Sequence, residues 1–216
     1  GLALAGQRVL LIDVDTQGQA GKMLGCAPAI GMAELAAGSA TPDQAITPAR
    51  DRLWLLGGGK ALAGLKMLIT RKELGAERTL SEALAALDDH YDYTILDSAP
   101  GWDALSVNVL FYAREVLSPV SLEVLTLQGL SDFAQNLASI QRYHTDLQLR
   151  YVVPTFYDRR VKKSEEIFTQ LQAYYPVQVC SPIRYNVRLS EAPGYGQTTY
   201  EYAPASIGAE DYAALV

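Results

Sequence analysis

The chain has 216 residues, 49% hydrophobic and 19% charged, with a formal net charge of -6. That balance supports a sizeable core and excludes a disordered chain; the acidic excess excludes a surface coated in nucleic-acid-binding charge, though not a local basic patch. Cys26 and Cys180, the only two cysteines, have no metal-ligand spacing and read as thiols rather than a disulfide, and no apolar run reaches the roughly 18 to 20 residues that cross a bilayer.

The sequence opens without a basic segment leading into an apolar one, so neither signal peptide nor membrane anchor is read, and a cytoplasmic location is expected. Leu2 to Ala5 are good helix formers stopped by Gly6. They read as the tail of a longer helix, with a strand, a loop and the start of that helix expected upstream. Next come apolar runs alternating with amphipathic segments. Strands are predicted at Arg8–Val14, Leu53–Leu56, Tyr93–Leu96, Glu115–Val120, Leu149–Val153 and Val177–Cys180. Helices are predicted near Leu80–Leu87, Ala104–Ala113, Leu125–Tyr143, Lys162–Tyr174 and Gly208–Leu215, and loops at Gly38–Asp43 and Gly57–Lys60. Short strands separated by helices imply an α/β fold with a mostly parallel central sheet and helices on both faces. No repeat or linker divides it, so residues 1–216 read as a single domain.

Ligands of such sheets gather at the carboxyl ends of the strands. The strand "RVLLID" ends at Asp13, and Asp15 follows one residue later, ahead of the turn formers "TQGQA". One aspartate there would be read as a helix cap. The stretch "YDYTILDSAP" repeats the arrangement, an apolar strand ending at Asp97. Carboxylates at the ends of two strands suit a hydrated magnesium ion and the orientation of a water.

Three stretches, "VLLIDVDTQGQA", "YDYTILDSAPGWDALSVNVLFYA" and "NVRLSEAPGYGQ" with "YAPASIGAEDYAAL" after it, resemble the ParA family of deviant Walker-type ATPases, which partition chromosomes and plasmids or position other cargo. The resemblance runs through most of the chain. It implies a P-loop NTPase-like fold, ATP and Mg2+ as cofactors, and a homodimer formed on ATP binding. It also implies binding to non-specific DNA, a ParB-like or other cargo adaptor that stimulates hydrolysis, no stable membrane insertion, and a cytoplasmic, nucleoid-associated location. By the same resemblance Asp15 orients the attacking water, Asp97 supports Mg2+ through water, and Asp13 has a structural or magnesium-linked role.

The family's phosphate loop is absent: no G-x-x-x-x-G-K-[ST] occurs in the sequence. The decoy is "LLGGGKAL", where Trp54 stands at the position of the first required Gly and Ala61 replaces the magnesium-ligating hydroxyl. Those glycines therefore read as a loop, and the 216 residues as a domain lacking its first strand and phosphate loop, inactive as they stand. Thr16 replaces the family's usual Pro, and Arg184 and Tyr185 stand where relatives carry Pro and Arg, close to the nucleotide base.

Positive charge gathers in "DRRVKKSEEIF" and "IRYNVR". Lys162 and Lys163 precede Glu165 and Glu166 by three or four residues and read as ordinary helix pairs. Arg160 and Arg188 correspond to arginines that in relatives grip DNA without reading its sequence, a task needing only positive charge. Two other readings share the carboxylate motifs. A MinD-like membrane-positioning ATPase would carry a terminal basic amphipathic helix, which "EDYAALV" does not supply; a degenerate, non-hydrolysing scaffold would dispense with the phosphate loop. A nitrogenase-reductase-like iron–sulfur protein would need differently placed cysteines.

Overall fold

The computed structural model describes residues 1–216, apart from the side chains of Val124 and Leu125. In chain order the elements are β1 (Val9–Asp13), α1 (Gln19–Met23), α2 (Met32–Ala36), α3 (Pro42–Ala45), β2 (Ile46–Arg50), β3 (Leu53–Leu56), α4 (Leu62–Arg71), α5 (Thr79–Leu84), β4 (Tyr93–Asp97), α6 (Ala104–Tyr112), β5 (Glu115–Ser121), α7 (Val124–Gln141), β6 (Gln148–Thr155), α8 (Lys162–Tyr174), α9 (Val187–Glu191), α10 (Thr199–Tyr202) and α11 (Ile207–Leu215). Two compact units result, one of residues 1–112 with 193–198, the other of residues 113–192 with 199–216.

The first unit is built on a four-stranded sheet in the order β2-β3-β1-β4. β1 is parallel to both neighbours, while β2 runs antiparallel along β3. Alternation along β1 sends Leu10 and Ile12 into a core with Met32, Leu56, Leu62, Leu65, Leu80, Leu84 and Leu105. Asn108, 1% exposed, sits inside this apolar packing. Its Oδ1 accepts from Leu80 N at 3.1 Å and its Nδ2 donates to the carbonyls of Ala76 and Ala104 at 3.0 and 2.8 Å, so the cost of burying an amide is offset and α6 is tied to the start of α5. Residues 1–5 form a single hydrogen-bonded turn, Ala5 N to Gly1 O. Gly6 closes it with a φ of 91°, and the bonds Gly6 N to Ala3 O and Gln7 N to Leu2 O make a Schellman ending that favours glycine at that position.

The second unit carries a parallel pair, β5 with β6. Its core joins Val120, Leu130, Val152 and Tyr157 to Ile167 and Leu171 of α8. The last helix, α11, is clasped to the segment after β6 by Arg184. The backbone N–H of that arginine donates to Asp211 Oδ2 at 2.8 Å and its Nη2 to Oδ1 at 2.6 Å. Burial alone would raise the Asp211 carboxyl, but the Arg184 hydrogen bonds and charge hold it below the usual carboxylate value.

The α/β reading with parallel pairing holds, since three of the four strand pairings are parallel. Several elements differ from expectation. The run Val177–Cys180 is no strand: only Val179 forms an isolated bridge, to Val152. The segment Gly38–Asp43 gives way to α3 at Pro42, and the segment expected as one helix from Leu80 to Leu87 is α5 followed by a 3-10 turn at Ala85–Leu87. Sequence reading also missed β2 and α4. Pro48 argues against a strand, yet it is tolerated because β2 is at the sheet edge, where a missing N–H interrupts no second ladder.

Candidate functional site

The carboxyl ends of β1 and β4 bring two of the predicted aspartates together. Asp13 and Asp97 are register partners at the last position of neighbouring parallel strands, and Val14 N donates to Asp97 O at 2.8 Å as the chain leaves the sheet. Adjacent strands lie about 4.8 Å apart, so the two side chains issue from the same face at close range. Their environments differ. Asp13 is 1% exposed, and its carboxylate accepts Asp15 N at 3.0 Å and Ala20 N at 3.1 Å, one bond per oxygen. It thereby fixes the turn that carries Asp15 and holds the first residues of α1, a structural use of the charge. Asp97 is exposed.

Asp15 is half-buried. Its Oδ1 accepts Gln17 N at 2.9 Å, and its carbonyl accepts both Gly18 N at 3.0 Å and Gly59 N at 2.9 Å. The glycine loop rejected as a phosphate loop thus has a different task. A Cβ on Gly58 would lie 2.5 Å from Asp13 O and 2.8 Å from Asp13 Oδ1, and one on Gly18, whose φ is 60°, would lie 2.9 Å from the Gly59 Cα. Only glycine lets the loop after β3 lie this close to the two aspartates. Sequence reading missed that role. The available signal was three glycines directly following a strand, the usual mark of a close backbone approach.

Partial burial, with Asp13 and Asp15 nearby, raises the Asp97 carboxyl above its ordinary value. Among the described residues no three carboxylate, His or Cys side chains converge as a metal cage. Magnesium is normally held by one or two carboxylates, substrate phosphates and retained waters, and Asp97, exposed beside Asp13, is one such carboxylate.

The arginines Arg160 and Arg188 lie in the second unit. Tyr157 and Arg184 form a parallel bridge, and the two arginines follow its partners by three and four residues. Each already has an acidic neighbour. Arg160 Nη2 lies 2.8 Å from Asp158 Oδ2, and Arg188 Nη1 2.8 Å from Glu191 Oε2. The Arg160 hydrogen bonds lower the Asp158 carboxyl to about 2. Lys163 pairs with Glu166 at 3.2 Å, as its spacing indicated.

A sequence profile described as an AAA domain matches residues 1–150. The chromosome-partitioning ATPase Soj of Thermus thermophilus is 34% identical over 216 residues, covering 99% of this chain and 84% of that protein. The chain belongs to the ParA family of partitioning ATPases. The ParA-family chain also aligns with a Mycobacterium smegmatis structure described as cobyrinic acid a,c-diamide synthase with bound ATP analog and magnesium, at 29% identity and a TM-score of 0.81, covering 98% of this chain and 81% of that one. The septum site-determining protein MinD of Pyrococcus horikoshii, complexed with Mg-ADP, shares the fold at a TM-score of 0.80 and 20% identity, over 99% of this chain and 84% of its own.

The raised Asp97 predicts a pH-dependent effect of removing its charge. A carboxyl whose pKa is higher in the folded protein than in the unfolded chain makes ionisation costly to folding; that cost is absent below the unfolded pKa and is fully present above the folded one. In the absence of metal, Asp97→Asn should therefore raise the Tm at pH 7 and leave it unchanged near pH 3, read by thermal unfolding across a pH series.

Proposed function

We propose that residues 1–216 belong to one ParA-like ATPase domain, in which Asp15 orients the water that attacks ATP, Asp97 supports a magnesium ion through water, and Asp13 fixes the turn between them. The observation that carries this reading is the meeting of Asp13 and Asp97 in register at the ends of β1 and β4, with Asp15 on the turn Asp13 holds. Bound magnesium would neutralise developing phosphate charge. It would also relieve the like-charge crowding that raises Asp97. The ATP analog and magnesium of the Mycobacterium smegmatis structure support the same cofactors here. The sequence holds no G-x-x-x-x-G-K-[ST], so the backbone N–H groups and lysine that cradle phosphates are not supplied by these 216 residues, which by themselves should not turn over ATP.

The cellular role we infer is chromosome or plasmid partitioning, or cargo positioning, by a homodimer that forms on ATP binding and grips DNA without sequence preference. A ParB-like adaptor would stimulate hydrolysis, and the location would be the cytoplasm at the nucleoid. Among the described residues no helix is long and apolar enough to cross a membrane. Arg160 and Arg188 are the DNA contacts in this reading. Their partners Asp158 and Glu191 are surface pairs, worth little and readily exchanged for a phosphate.

In a form of the protein that carries a phosphate loop and hydrolyses ATP, Asp15→Ala should keep ATP-dependent dimerisation and lose most turnover, by about two orders of magnitude or more. Dimerisation by light scattering and phosphate release measure the two sides. Undiminished turnover contradicts the assignment of Asp15. In the same form, replacing Arg160 and Arg188 together by Ala should weaken binding to unrelated duplexes alike and flatten the log affinity against log salt plot by roughly one unit per lost contact. An unchanged affinity and slope removes both arginines from the DNA surface.

A further inference from the structure

Helix α4 turns Leu62, Leu65 and Ile69 into the core of the first unit. The opposite face is unusual for a solvent-facing surface. Gly64, Met67, Leu68 and Arg71 fall within an arc of roughly 100° at helical spacing, and Lys60 sits in the turn just before the helix. All five are exposed, Met67 at 55% and Leu68 at 58%. Leu74, 86% exposed, extends the apolar strip just past the helix.

Two further observations say what fits there. A Cβ on Gly64 would meet nothing within 4 Å. A helical glycine weakens its helix relative to alanine, and no packing inside this chain requires it, whereas close approach of a second helix does. The charges at the two ends of the strip are also free. Lys66 and Lys72 pair with Asp103 and Glu82, but among the described residues Lys60 and Arg71 make no ion pair. An apolar strip with an unpaired cation at each end complements an apolar strip bordered by acids.

We propose that the exposed face of α4 docks an amphipathic helix of a partner protein, with leucine-like side chains on Met67 and Leu68 and acidic residues against Lys60 and Arg71. A second copy of the chain is disfavoured, because an antiparallel α4 pair would set Lys60 against Arg71. A lipid surface is disfavoured too: it has no use for Gly64, and Glu73 and Glu77 lie just past the helix in a chain of net charge -6. The position gives such docking a route to the aspartates. Lys60 directly follows Gly59, whose N–H donates to Asp15 O, and Lys66 Nζ reaches Asp103 Oδ2 at 2.8 Å on the stretch that follows Asp97.

The test is fluorescence anisotropy with a labelled amphipathic peptide of about five helical turns, its leucine stripe bordered by glutamates, against a counterpart bordered by lysines. The acidic peptide should bind and the basic one should not. Lys60→Glu with Arg71→Glu should weaken binding about tenfold or more. Gly64→Leu should weaken it comparably while the Tm stays level or rises, since leucine is the better helix former. Absence of binding, equal binding of both peptides, or indifference to these substitutions overturns the proposal. So does capture by phosphatidylglycerol vesicles, or self-association, that the same substitutions abolish. Binding is read without hydrolysis, so failure here leaves the ATPase reading standing, and failure of that reading leaves this one.

Discussion

The buried carboxylate of Asp13 is the constraint on which the candidate site depends. A charge 1% exposed is costly unless its lone pairs are used. Both oxygens are, by the N–H groups of Asp15 and Ala20. Those two bonds turn the end of a central strand into a rigid corner, from which Asp15 projects and α1 departs. The corner is so tightly filled that the neighbouring loop passes Asp13 only with glycine at position 58, and passes the turn after Asp15 only with glycine at position 18.

From that corner the division of labour among the aspartates follows. Asp13 is committed to the backbone, each of its oxygens holding one N–H of the turn. Asp97 faces the same place from the next strand, exposed and raised by its surroundings, and is the carboxylate with most to gain from a cation. Asp15 lies between these extremes, anchored through one carboxylate oxygen and its carbonyl. A cation near Asp97 and a water near Asp15 would then need no rearrangement of the sheet.

Much of this was legible in the sequence, because an apolar run ending in aspartate is a local pattern. The pairing of Asp13 with Asp97 needed only the recognition that the two strands are parallel neighbours. What escaped was tertiary. Three glycines after β3 look like a failed phosphate loop until β3 is seen beside β1, where they become the lining of the Asp13 corner. Helix α4 escaped because its exposed Met67 and Leu68 blur the period set by Leu62, Leu65 and Ile69, and Gly64 argues against a helix. The run Val177–Cys180 has strand composition but finds only one bridging partner, through Val179. Arg160 and Arg188 were visible as charges, while their pairing with Asp158 and Glu191 depends on local turns that composition does not reveal.

The central claim is that the strand-end aspartates form one cation-responsive site, and carboxyl carbon NMR titration of Asp97 tests it most directly. In metal-free protein the Asp97 carboxyl should titrate above an ordinary aspartate, and added magnesium chloride should move its apparent pKa down, because the cation favours the ionised form. The same titration in Asp13→Asn and Asp15→Asn variants should start lower, since each removes a neighbouring negative charge. An Asp97 that titrates as an ordinary aspartate and ignores both magnesium and the loss of its neighbours would contradict the account.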